Sequence, residues 1–167
     1  MLTSKRSKLL LPRHLLYLVQ QQASNSKSIA LRFRKISPFG GIILITTYSP
    51  ATTKGKIVVI KCWYIGCVAC AQEFSEVNKL VDGYKDWDDI LFVSLAMDGK
   101  EELVDFLKSN ELKYVTVPNM EDLMQSKLGI GSYPTHLLLD RAGKIVKVVD
   151  RIDELKPFLE KQAATSL

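Results

Sequence analysis

From Lys56 onward the chain switches between two hydrophobic rhythms. Residues 57–62, IVVIKC, form a near-continuous apolar run rich in β-branched side chains, the pattern of a central strand covered on both faces. Cys70, Phe74, Val77, Val81 and Tyr84 then recur at intervals of three and four, which predicts an amphipathic helix over 68–84. ILFVSLAM, 90–97, predicts a second buried strand, Leu103, Phe106 and Leu107 a helix over 100–109, and YVTV, 114–117, a short strand. Met120, Leu123, Met124 and Leu128 predict a further helix, closed by Gly129 or Gly131. PTHLLLD and KIVKVVD read as two strands joined by RAG, a Gly-containing linker that suits a hairpin. Ile152, Leu155, Phe158 and Leu159 mark a closing helix, which tolerates Pro157 only in its first turn or just beyond, where amide donors lack partners anyway.

Strands alternating with helices imply crossover connections and a parallel core, and the late hairpin adds an antiparallel edge pair. The class is α/β, a three-layer α/β/α arrangement with a central mixed sheet, and it occupies residues 56–163. Upstream, residues 1–37 show no sustained periodicity and read as a poorly ordered basic arm. Residues 38–55 contain GGIILITTY, 40–48, which predicts a first or accessory strand, and then the turn-rich linker SPATTKGK.

Composition supports one ordinary globular domain: 167 residues, 47% apolar and 25% charged. Charge refines that picture. The net +5 hides an acid-free stretch before Glu73 that carries 11 Lys and Arg, while the remaining 95 residues carry 12 basic and 18 acidic side chains, a net of −6. The basicity therefore belongs to the N-terminal arm. A compact nucleic-acid binder would carry it on a folded face, so nucleic acid is excluded as the expected partner. The arm itself admits several readings. MLTSKRSK and LLLPRHLLYLV resemble the charged and apolar parts of a secretory signal, but Pro12, Arg13 and His14 interrupt the apolar run and no small-residue cleavage site follows. A transit peptide and an unstructured start fit the same residues. The run is too short and too charged to span a bilayer, and membrane association stays open.

Two of the three cysteines, Cys67 and Cys70, stand three positions apart where strand gives way to helix. A thiolate at a helix N-terminus meets unpaired N–H groups and the positive end of the helix dipole, which lowers its pKa and makes Cys67 the nucleophile. Cys70, on the buried stripe, stays a thiol until it attacks a mixed disulfide on Cys67. A metal site is the competing reading, but it wants four ligands and only Cys62, His14 and His136 remain to supply the rest. A purely structural bridge over so small a loop removes little unfolded-state entropy. Redox exchange is the favoured reading, with a metallochaperone using the two thiols as an alternative.

The surroundings add candidates. SYPT places Pro134 before a strand, where the Tyr133–Pro134 bond is either cis, exposing the backbone of Tyr133 to pair with a substrate peptide, or an ordinary trans strand start. Glu73 lies three residues after Cys70, on or beside the apolar face; partial burial there raises its pKa toward a range useful for proton transfer, and the alternative is a solvated helix residue. Trp63 either shields the disulfide or packs. Cys62 reads as a buried hydrophobe, Lys61 as snorkelling to an edge or lying near the site, and His136 as a packed or edge histidine. The methionines of the 120–128 segment read as core filler.

With VVIKCWYIGCVACAQEF, SYPT and LLLDRAGKIVKVV together, the chain resembles thioredoxin-like proteins over residues 54–161. The match is to the extracytoplasmic thiol:disulfide reductases of the TlpA and ResA type, within the AhpC/TSA-like thioredoxin superfamily. The resemblance implies a thioredoxin fold, Cys67 as attacking thiol, Cys70 as resolving thiol, Pro134 in cis, and Glu73 as an acid–base helper. It implies substrate contacts at Trp63, Tyr133 and Pro134, a redox disulfide between Cys67 and Cys70, and neither a metal nor a bound cofactor. The implied partners are protein disulfides or dithiols and an upstream thiol electron donor, met by a monomer in the bacterial cell envelope or periplasm, with the cytoplasm left open. Thioredoxins proper have Gly-Pro between the cysteines and a buried Asp six positions before the first, where this chain has Val68-Ala69 and Lys61. Peroxiredoxins share the fold, but their Pro-x-x-x-Thr-x-x approach to the reactive Cys is missing here, which makes peroxide reduction the weaker enzymatic alternative.

Overall fold

The structure is a computed structural model that describes Thr53 and residues 55–165. The basic arm and the strand expected at 40–48 lie outside the described residues. Five strands form one sheet in the order β3-β2-β1-β4-β5. The central strand β1, Ile57–Trp63, is buried on both faces and pairs in parallel with β2, Ile90–Ala96, which pairs in parallel with β3, Val115–Val117. On its other side β1 meets β4, Thr135–Leu139, antiparallel, and β4 pairs antiparallel with β5, Ile145–Val149. The mixed sheet and the late hairpin follow the expected order.

Alternation along β1 divides the core. Ile57, Val59 and Trp63 face a cluster with Cys70, Phe74 and Val77, to which Leu103, Leu107, Leu155 and Leu159 also contribute. Val58 and Cys62 face the opposite cluster with Val93, Leu95, Met124 and Leu137. The first face is covered by four helices: α1, Val68–Gln72; α2, Phe74–Gly83; α3, Lys100–Leu107; and α4, Ile152–Ala164.

Three local features depart from expectation. The single helix expected over 68–84 is interrupted at Glu73, whose carboxylate is drawn toward the sheet, although Val77 N–H still donates to Glu73 O at 2.9 Å and the helix resumes. The helix expected around 120–128 contains a π-helical turn, Leu123–Lys127, where Leu128 N–H reaches back five residues to Leu123 O at 2.9 Å. Met124 is completely buried there, and Gly129 at φ +66° follows. The hairpin loop is longer than RAG: Asp140 N–H donates to Lys144 O at 2.9 Å, Gly143 sits at φ +78°, and the Asp140 carboxylate accepts from Ala142 and Lys144 N–H. Only a residue without Cβ takes that left-handed conformation at no steric cost. Pro157, the sixth residue of α4, lies inside the helix beyond the first-turn donors that lack partners, so the bond an N–H there would make to Asp153 O is missing.

Candidate active site

Sheet geometry delivers Cys67 to the surface end of β1. After Trp63 the chain turns through Tyr64–Gly66, held by Cys67 N–H donating to Tyr64 O at 3.1 Å and by Ile65 N–H donating to Asp98 Oδ2 at 2.8 Å. Asp98 follows β2, so its carboxylate ties the loop to the neighbouring strand's end. Cys67 caps α1 in extended conformation, and Cys70 N–H donates to Cys67 Sγ at 3.1 Å. The two sulfurs are joined as a disulfide with Cα atoms 5.2 Å apart. Both residues are buried, but Cys67 keeps 6% of its surface while Cys70 has none, so of the pair only Cys67 retains any exposure.

The Tyr133–Pro134 bond is cis. Tyr133 packs edge-on against Tyr64 with ring centroids 5.6 Å apart, and its hydroxyl donates to Ile130 O at 3.2 Å. Pro134 borders a groove of about 670 Å³, which α1 lines with Ala69 and Gln72 and the start of α4 lines with Ile152 and Lys156. Glu73 also faces this groove. Trp63, expected to contact substrate, is completely buried and packs edge-on against Phe74 at 5.1 Å. It has no surface to present to a partner, because β1 alternation aims it into the helical layer.

Across the sheet runs a polar row that the sequence does not announce. Thr116, Ser94, Lys61 and His136 are successive register partners across β3, β2, β1 and β4, so all four point to the helix-covered face. They make up four of the five buried polar residues among those described. Ser94 Oγ donates to Thr116 Oγ1 at 2.8 Å. Lys61 and His136 converge on one acceptor: Lys61 Nζ lies 2.7 Å and His136 Nε2 2.9 Å from Glu73 Oε2. The other carboxylate oxygen accepts from Ile152 N–H at 3.0 Å, so Glu73 also satisfies an amide that opens α4. Because an ionised carboxylate only accepts, the imidazole carries its proton on Nε2. Its buried Nδ1 then has no partner among the described residues.

This arrangement reverses the expectation for Glu73. Burial alone raises a carboxyl pKa, but the hydrogen bonds from His136 and Lys61 outweigh it and hold Glu73 at about 2. Burial lowers Lys61 from 10.5, with Glu73 opposing, and burial likewise lowers His136 from 6.5. Lys61 is fully buried at the site rather than snorkelling to an edge, and His136 is a packed histidine whose ring nitrogen joins the cluster. Cys62 behaves as a buried hydrophobe whose thiol burial pushes up to about 12. Sequence reasoning missed two supports, Asp98 and the Ile152 amide, because each acts across more than thirty residues and neither belongs to a local pattern. Among the described residues no three His, Cys, Asp or Glu side chains cluster as metal ligands.

Known proteins agree with this geometry. The chain is 28% identical over 112 residues to the thiol-disulfide oxidoreductase ResA of Bacillus cereus, covering 65% of this chain and 64% of that protein. The ResA of Geobacillus thermodenitrificans is 29% identical over 111 residues, covering 64% of this chain and 63% of its own length. The chain thus spans somewhat under two thirds of the curated relatives it matches. Among solved structures, the thioredoxin domain of a thiol-disulfide oxidoreductase from Bacteroides vulgatus superposes with a TM-score of 0.62 at 24% identity, covering 82% of this chain and 98% of that one. StoA of Bacillus subtilis superposes with a TM-score of 0.54 at 23% identity, covering 64% and 84%. These likenesses establish the thioredoxin fold. A family model matches residues 43–148, well over half of the chain, and the protein belongs to the AhpC/TSA family.

Proposed function

We propose that this protein exchanges disulfides with partner proteins through Cys67 and Cys70. The observation that carries the reading is the asymmetry of the pair: Cys67, which keeps a little exposure and whose sulfur accepts a helix-opening N–H, is bonded to Cys70, which has none. Once the disulfide is opened, that N–H is placed to donate to a Cys67 thiolate. The relatives named thiol-disulfide oxidoreductase support the same chemistry.

In the reducing direction the Cys67 thiolate attacks a partner disulfide, forming a mixed disulfide and releasing one partner thiolate. Cys70 gives its proton to that departing thiolate. The Cys70 sulfur then attacks Cys67 Sγ, closing the internal disulfide and releasing the second partner thiolate. An upstream thiol donor restores the dithiol. The partner strand lies beside cis-Pro134, where main-chain pairing with Tyr133 orients the disulfide over Cys67. Pro134 and Tyr133 are the substrate contacts, Trp63 is packing behind them, and the protein acts as a monomer in the cell envelope. The test uses an insulin-type disulfide substrate. Cys67→Ser abolishes its reduction and Cys70→Ser accumulates the mixed disulfide; unchanged reduction by Cys67→Ser overturns the proposal.

Peroxide reduction is a second reading, supported by the AhpC/TSA family match. It requires peroxide consumption by the wild type to exceed that of Cys70→Ser.

A further inference from the structure

The exchange proposed above moves a proton at Cys70 each time the disulfide opens or closes, and Glu73 stands one helical turn further along the same chain segment. A carboxyl group acts as proton carrier only if it exists in both forms near the working pH. The structure surrounds this one with donors. Lys61 and His136 are directly opposed on antiparallel β1 and β4, a register that holds their side chains as neighbours on one face, and both reach the same carboxylate oxygen. Both are completely buried, so water cannot replace either donor. The remaining oxygen is taken by Ile152 N–H.

We propose that Lys61 and His136 are positioning residues that hold Glu73 as a permanent carboxylate, so that the proton exchanged at Cys70 is never carried by Glu73. The inference rests on the disulfide-exchange reading and deepens it. Ahead of the resolving attack the S–H bond of Cys70 breaks and its proton goes to the first partner thiolate released, while Glu73 keeps its charge throughout. The carboxylate's task is architectural: it neutralises buried Lys61 and fixes the start of α4 beside the groove that Pro134 borders.

Charged and titratable groups reach the neighbourhood of Glu73 from several elements, including Asp153 and Lys156 of α4 across the groove. From β1 come Lys61 and, behind the sheet, Cys62; from β4 comes His136. Tyr114, just before β3, is buried and feels the Glu73 charge, which adds to burial in keeping its hydroxyl protonated. From the start of α4 come Arg151, which the carboxylate stabilises as a cation, and Asp150, which acts on His136. On its own segment Glu73 shares the groove with Glu76. The two hydrogen-bonded donors outweigh the rest because they are in contact and desolvated.

The test follows the pH dependence of disulfide exchange, together with the infrared band of protonated carboxyl groups, in wild type, Glu73→Gln, Lys61→Met, Lys61→Arg and the Lys61→Met/Glu73→Gln double variant. Wild type shows no ionisation of Glu73 between about pH 4 and 8, and Glu73→Gln scales the rate by one factor across that range without removing a limb. In Lys61→Met the Glu73 titration moves from about 2 to the ordinary carboxylate value of 4.5 or above. That new limb and its infrared band disappear in the double variant, while Lys61→Arg keeps the wild-type profile. A wild-type limb that Glu73→Gln removes, or a Lys61→Met profile superimposable on wild type, overturns the inference. If Lys61→Met does not fold, the wild-type and Glu73→Gln comparison decides alone. The infrared titration needs no turnover, so absent exchange activity defeats the proposed function while leaving this inference separately readable.

Discussion

Lys61 Nζ lies 2.7 Å from Glu73 Oε2, an ion pair of a fully buried lysine and a partly buried carboxylate that joins the central strand to the helical segment carrying the two cysteines. Thioredoxins proper resemble this chain in fold yet place an acidic residue at the Lys61 position. Here the sheet supplies the cation and the helix segment supplies the anion. The pair links the core to the redox site, and its energetic consequences are measurable.

Removing one partner of a buried pair leaves an uncompensated charge. Lys61→Met should therefore cost about 3–5 kcal/mol in urea unfolding. The Lys61→Met/Glu73→Gln double variant should recover part of that loss, because the stranded carboxylate is gone. A double variant less stable than the sum of the singles contradicts a pairwise ion interaction.

Acid should unfold the protein in two stages. The folded pKa of His136 is depressed below 6.5, so its contribution is present above that value and is lost as pH falls through the folded pKa. Glu73 is depressed from 4.5 to about 2, so its contribution is present above 4.5 and disappears as pH falls toward 2. Asp122 and Asp153 are also lowered, by Lys127 and Arg151, but these exposed pairs contribute little. Melting temperature should fall through both windows in wild type, and Glu73→Gln should flatten the lower one. An unchanged slope below 4.5 in that variant refutes the assignment.

Thiol labelling of the reduced protein should follow exposure and electrostatics. Cys67 should react first with an alkylating agent, while Cys62, buried and pushed up to about 12, should react only on unfolding. Reduction itself should lower stability by only about 2 kcal/mol, since the bridged loop is so short. Peptide mapping of the alkylated protein checks the order, and early modification of Cys62 contradicts the burial described.

Much of the architecture was legible in the residue pattern. The β-branched run at 57–62 marked the central strand, and the three-and-four spacing after Cys70 marked the helix that buries it. The break at Glu73 was not legible, because the partners its carboxylate meets there stand on other elements. The same holds for Trp63, which the residue pattern left either shielding the disulfide or packing and which strand alternation buries in the helical layer. Asp98 and Ile152 hold the site from afar and left no local signature.

By itself the sequence determined the kinds of elements, their order and the place of two thiols at a strand-to-helix junction, since these depend on periodicity and on neighbours a few residues away. Only the tertiary structure decided that Thr116, Ser94, Lys61 and His136 stand in one row and that Glu73 meets its end charged. Each residue's face is set by its own strand, but which residues lie opposite is set by strand register, and the ionisation of a buried group depends on every donor that folding brings within reach.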